Sequence, residues 1–268
     1  LPIEWARERD IIADGPDSIR EMVRRRVRQG ANVIKIGLSK GWIDDQYHAW
    51  GDDPLRQVAG MTLEEVKAAV SEAHVHHIKV SAHCIGEAAV VLALDGGVDI
   101  IEHGYGITEE TRARLVESQV LVGSTISQLY FHRAAYEEFN YPQWERDLFE
   151  RHTKQMRMDF EKSLAAGVRY VLGTDLIGNP THPQDQAARE FEFAVEWGMD
   201  PATAIVSGMK HGAEALGLLD EIGTVEVGKH ADLIATATDP LTDITALQRL
   251  TFVMQGGRKI IHNAERFI

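Results

Sequence analysis

Five short runs dominated by Val, Ile and Leu recur along the chain, at residues 32–38, 78–83, 98–103, 119–125 and 168–175. Apolar residues at consecutive rather than alternate positions mark strands covered on both faces. The segments between them carry helical spacing. Ile19, Met22, Val23 and Val27 form a stripe closed by Gly30. Thr62 and Glu65 make a capping box ahead of Val66, Ala69, Val70 and Ala73. Thr108 precedes Glu109 and Glu110, the charge sign that a helix N-terminus favours. Pro142 opens a stretch bearing Trp144, Leu148, Met156, Phe160 and Leu164, which Gly167 ends. Asp200 and Pro201 pair an N-cap with a first-turn proline, ahead of a helix to about Leu216. Strands alternating with helices in this order predict an α/β fold with a parallel sheet, either doubly wound or closed into a barrel.

After about Leu219 the texture changes. GTVEVGK (223–229), ADLIATA (231–237) and residues 250–255 and 258–262 read as short strands with glycine turns, interrupted by a turn near 243–248. The expected division is an α/β body over 1–219 and a small β portion over 220–268.

Composition narrows the function classes. Forty-one acidic against 28 basic residues give a net charge of −13, which opposes a general grip on nucleic-acid phosphates. Arg24, Arg25, Arg26 and Arg28 fall on the polar face of the first helix and read as a solvated surface. No run approaches eighteen apolar residues, and no basic-then-apolar leader is present, so a cytoplasmic protein without a membrane span is expected. Cys84 is the only cysteine, which excludes an intramolecular disulfide. Strand alternation turns it away from His83, as a small buried residue. No glycine-rich phosphate loop follows any strand, which disfavours a nucleotide-binding sheet.

The chemistry lies where polar residues interrupt or close the runs. Lys35 sits inside VIKIG, His83 closes KVSAH, His103 closes DIIEH and Asp175 closes YVLGTD. In a closed α/β barrel the C-terminal strand ends converge on one mouth, and this pattern favours the barrel. Two imidazoles and a carboxylate suit a divalent cation such as Zn²⁺. A lysine in that company is costly as a cation. Reaction with CO₂ would convert it to a carbamate, whose two oxygens can bridge two metals. Singly, each residue has a plainer reading: a hydrogen-bonded strand end for either histidine, an ion-pair partner for Lys35, an N-cap for Asp175. Tyr105 after the third run, and Ser124, Gln128, Tyr130 and His132 after the fourth, are candidates to touch substrate. The long loop 37–60, with Trp42, Tyr47, His48 and Trp50, is a candidate lid. Asn179 and His182 lie in a proline-flanked loop after Asp175. His74 and His76 have a His-x-His form but stand at the end of a predicted helix, where dipole and solvent account for them.

Several longer stretches together carry a family likeness. They are ADGPDSIREMVRRRVRQGANVIKI, SAHCIGEAAVVLALDGGVDIIEHG, VLGTDLIG and LGLLDEIGTVEVGKHADLIA. In these the chain resembles the amidohydrolase superfamily of metal-dependent hydrolases, in its imidazolonepropionase-like and Xaa-Pro dipeptidase-like branch. The resemblance implies a TIM-type (β/α)8 barrel with a small β-sandwich. It implies that Lys35 is the carbamylated bridge, that His83 and His103 are metal ligands, and that Asp175 both ligates metal and shuttles a proton. The implied cofactor is one or two divalent ions, Zn²⁺ foremost. The implied reaction is cleavage of a C–N bond in a small-molecule amide, peptide or cyclic amide by metal-bound hydroxide. Family members carry a His-x-His pair at the end of strand 1, and no histidine precedes Lys35 here. The expectation is therefore an incomplete barrel of strands about 3–8. The alternative it leaves is a catalytically incomplete remnant of the fold. Ile85 stands where dipeptidase-like relatives often have a tyrosine, which counts against a carboxypeptidase-type preference. Homo-oligomerisation is left open.

Overall fold

The structure is a computed structural model that describes residues 12–39, 60–176, 178, 183–262 and 265–266. The candidate lid residues Trp42, Tyr47, His48 and Trp50, and the loop residues Asn179 and His182, lie outside the described residues. In chain order the elements begin α1 (Pro16–Arg28), β1 (Val33–Gly37), α2 (Leu63–Val75), β2 (Lys79–Ile85), α3 (Glu87–Gly96) and β3 (Ile100–Tyr105). They continue with α4 (Glu109–Ser118), β4 (Leu121–Gly123), α5 (Ile126–Ala134), α6 (Gln143–Ala166) and β5 (Tyr170–Val171). The last are α7 (Arg189–Glu196), α8 (Pro201–Gly208), α9 (Lys210–Leu216), β6 (Leu233–Thr236), β7 (Leu250–Gln255), β8 (Arg258–His262) and β9 (Glu265–Arg266). They form two compact units, Leu1–Gly123 with Arg133–Arg169, and Ser124–His132 with Tyr170–Ile268.

In the first unit β1 to β4 pair in sequence order and in parallel, which fits the fully apolar runs. Val80, Ser81 and Ala82 are all buried, so β2 is covered on both faces. Several helix ends fall on the predicted signals. The Thr62 side chain accepts the Glu65 amide while the Glu65 carboxylate accepts the Thr62 amide, and Gly167 ends α6 in the left-handed conformation. Helix α3 was less visible: EAAVVLALDG is apolar on nearly every side and starts at Gly86 without a side-chain cap. Its last residue lets α2 and α3 touch, since a Cβ on Gly96 would overlap Val66 Cγ1.

In the second unit Asp200 caps α8 as predicted, accepting the Thr203 amide. The single helix expected up to Leu216 is broken at Met209 (φ −103°, ψ −72°), which divides α8 from α9. Strands β6, β7, β8 and β9 form an antiparallel sheet, as the tail's glycine turns suggested. GTVEVGK (223–229) is not one of its strands but a series of turns, with Val225 and Val227 exposed. Its alternating valines find no strand to pair with among the described residues. A 3₁₀ turn covers Ile244–Gln248. Among the described residues the β1–β4 sheet is not closed into a barrel, and no helix is long and apolar enough to cross a membrane.

Candidate metal centre and strand-end residues

Sheet register decides which side chains of the first unit share a face. Lys35 is opposite Ser81, Gly37 is opposite His83, and His83 is opposite Glu102. Side chains alternate along a strand, so Lys35, Ser81, His83 and Glu102 project to one side. His103 is opposite Cys84, which places it on the other side by alternation. Its backbone overrides this: His103 has φ 70°, and Gly104 follows at φ 61°. A left-handed non-glycine residue costs about 1 kcal/mol or more and persists only where its surroundings hold it. The result is contact between the two imidazoles. His103 Nε2 is 2.9 Å from His83 Nδ1, with ring centroids 4.5 Å apart at 74°.

Burial pushes the His83 pKa down to about 4, with the Lys35 charge adding to the effect. Burial drives His103 well below its ordinary value, helped by His83 and Lys35. Both rings are therefore neutral near pH 7, the protonation state that ligates a cation. Lys35 Nζ is 3.8 Å from Glu102 Oε1, the oxygen that also accepts the Ser81 hydroxyl at 2.6 Å. The donor set fits a borderline divalent ion: two neutral imidazoles in contact, with a lysine that would become anionic as a carbamate. Among the described residues no three His, Cys, Asp or Glu side chains gather around one point. A third protein ligand in this unit thus depends on Lys35.

The alternatives fall into place. His74 Nε2 is 2.8 Å from Asp99 Oδ2, an oxygen that also accepts the Val80 amide, and His76 Nε2 is 3.5 Å from Glu72. Both histidines are exposed at the end of α2, each beside its own carboxylate. Arg24 chelates Glu72 at 2.7 and 2.9 Å, and Arg25 pairs with Glu21. Cys84 is buried, and burial pushes its thiol up, away from thiolate chemistry.

Tyr105 is 3% exposed, and its hydroxyl is 2.8 Å from His152 Nδ1 on α6. The turn that follows His103 is gripped by a second α6 residue. Asp159 accepts the Gly106 amide at 2.7 Å and the Arg112 guanidinium at 2.7 Å, while Arg112 also donates to Ser163.

In the second unit Asp175 stands four residues beyond the short β5, exposed and with φ 53°. Thr125, after β4, is left-handed too (φ 51°). Ser124 and His132 are buried, Gln128 is half-buried and Tyr130 is exposed. The Arg189 guanidinium lies 4.5 Å from the Tyr130 ring centre and 4.8 Å from that of Phe193. Glu190, which the sequence did not single out, is a buried residue of α7 that faces the first turn of α5. It accepts the Ser124 hydroxyl at 2.5 Å and the Ile126 and Ser127 amides at 2.8 Å each. Glu102 was equally unmarked, although a glutamate inside DIIEH is as visible a signal as the lysine inside VIKIG.

Parallel strands that carry an imidazole pair near their ends, with helices between them, define an α/β protein. The model of the Amidohydrolase family matches residues 5–260, and the chain belongs to that family. It is 32% identical over 265 residues to an ochratoxinase of Aspergillus niger, covering 96% of this chain and 52% of that protein. Among solved structures it is similar to a Xaa-Pro dipeptidase with methionine bound in its active site, at a TM-score of 0.79 and 29% identity over 92% of this chain and 59% of that one. It is also similar to a prolidase in complex with N-methylphosphonate-L-proline, at a TM-score of 0.83 and 27% identity, covering 93% and 60%. The chain spans about half the length of the curated ochratoxinase it matches.

Proposed function

We propose that this chain carries much of the catalytic machinery of a metal-dependent hydrolase that cleaves a C–N bond in a small amide or peptide. The observation that carries the reading is the His83–His103 pair: His103 buried and His83 half-buried, both neutral and in contact near strand ends, with the Lys35 charge acting on both rings. Lys35, His83 and His103 would hold the cation, Lys35 once its amine nitrogen had bonded to the carbon of CO₂ and lost a proton to become a carbamate. When bound, a divalent cation supplies a water nucleophile at neutral pH and polarises the scissile carbonyl. Asp175 takes a proton from the attacking water and returns it to the leaving nitrogen, which departs as an amine. Left-handed backbone at both His103 and Asp175 supports these assignments, since such strain gathers at functional residues.

The architecture proposed is the strand 3–8 portion of a (β/α)8 barrel over residues 1–219, with part of a β-sandwich over 220–268. Dipeptidase and prolidase relatives favour an amino-acyl amide as substrate, with residues other than Ile85 left to recognise any free carboxylate on it. Tyr130, which is exposed and lies against Arg189, is the substrate-binding candidate this reading favours. The test pairs metal analysis of Lys35→Ala with turnover of N-acyl amino acids by Asp175→Asn. The reading expects lowered metal content in the first and loss of turnover in the second. Full metal content with unchanged turnover overturns it.

A further inference from the structure

Glu190 is one of the few carboxylates in the second unit held away from water, and the mechanism above gives it no task. Its two oxygens accept from three residues. Oε1 accepts the Ser124 hydroxyl and the Ile126 amide, and Oε2 accepts the Ser127 amide. The amides belong to the first turn of α5, where helix N–H groups have no partner of their own. That accounts for the helix. It does not account for what the same segment does on its other side.

Residues 124–127 are bonded in turn to the stretch that ends at Asp175. The Ser124 amide donates to the Val171 carbonyl at 3.0 Å and the Thr125 amide to Gly173 at 2.9 Å. The Ser127 hydroxyl reaches the Thr174 carbonyl at 3.5 Å. Thr125 and Asp175 are the two left-handed non-glycine residues of these neighbouring segments. β5 itself is only two residues long, so ladder bonding does little to fix the backbone as far as Asp175. The contacts run from the Glu190 carboxylate, through the Ser124–Ser127 turn, to the residue that precedes Asp175.

We propose that Glu190 is a positioning residue for Asp175: by fixing residues 124–127 it sets the backbone from which the proton-carrying carboxylate projects. The inference rests on the role proposed for Asp175 and adds a residue some fifteen positions away that never meets the substrate. Glutamine at this position makes a specific demand. Its single carbonyl oxygen can keep the Ser124 and Ile126 donors, but its amide nitrogen then faces the Ser127 N–H, donor against donor. Ser127 is the residue that reaches Thr174.

The experiment compares wild type, Glu190→Gln, Ser124→Ala and Asp175→Asn by residue-resolved amide hydrogen exchange and by kinetics on N-acyl amino acids. In Glu190→Gln, exchange at Ser127 and Gly173–Asp175 should quicken by about tenfold or more, while the helices α8 and α9 stay protected. The turnover number should fall by about tenfold or more with KM within twofold, as expected for a misplaced catalytic group. Ser124→Ala, which leaves the carboxylate and both amide bonds in place, should show a smaller change of the same kind. Unchanged exchange at Gly173–Asp175 in Glu190→Gln overturns the proposal, and so does a full turnover number in that variant while Asp175→Asn is inactive. Full activity in Asp175→Asn instead removes the assigned role of Asp175. The exchange arm needs no turnover, so the two failures are told apart.

Discussion

Gly123, the last residue of β4, tests how tightly the candidate metal face is built. Its backbone conformation is open to any residue, so alanine brings no torsional penalty, but a Cβ there would overlap Glu102 Oε2 and lie 3.3 Å from Cδ. Glu102 is 23% exposed and can yield only by swinging away. It then gives up the 2.6 Å bond from Ser81, a charged hydrogen bond worth about 1.5–3 kcal/mol. The 3.8 Å pair with half-exposed Lys35 adds only a few tenths of a kcal/mol, about 0.5 at most. Gly123→Ala should therefore destabilise the protein by about 2–3 kcal/mol, read as a shift in the urea midpoint at constant slope. With Glu102→Ala in the background the obstruction is gone. The same change should then be neutral or stabilising by up to about 1 kcal/mol, because alanine restricts the unfolded chain. Additive costs, within about 0.5 kcal/mol, would refute the packing account of Glu102.

Further outcomes follow from the same contacts. His83 has its pKa lowered from 6.5 to about 4, so between those values the unfolded state binds more protons than the folded one. Stability is then full above pH 6.5 and lost progressively on acidification to about pH 4, by about 3 kcal/mol, and His83→Asn should flatten that slope in urea titrations. Gly96→Ala forces a methyl group against Val66 and should cost about 1–3 kcal/mol by thermal or chemical unfolding. His74→Ala with His76→Ala should leave zinc stoichiometry unchanged, because Asp99 and Glu72 already account for both rings. Asp159→Asn weakens the grip on Gly106 and on buried Arg112, and should cost about 3 kcal/mol or more in unfolding measurements.

The physics that made the strands legible is local. Continuous apolar runs located β1 to β4 within one or two residues, and the Thr62 box, Gly167 and the Asp200–Pro201 pair fixed helix ends because their partners lie within four residues. What stayed hidden depends on distant partners. Helix α5 is capped by Glu190, more than sixty positions later, and its sequence carries no start signal of its own. His103 joins His83 only because its backbone leaves the alternating pattern, for which the following Gly104 is a hint and not a proof. The valines of 223–229 alternate as a strand would, yet no pairing strand lies beside them among the described residues.

The most direct test of the metal centre is calorimetric titration of Zn²⁺ into the protein with and without bicarbonate, beside His83→Asn, His103→Asn and Lys35→Ala. Tight binding that strengthens with bicarbonate, weakens about tenfold or more in either histidine variant, and loses its bicarbonate dependence in Lys35→Ala is the predicted result. Equal zinc binding by all four proteins would contradict the account.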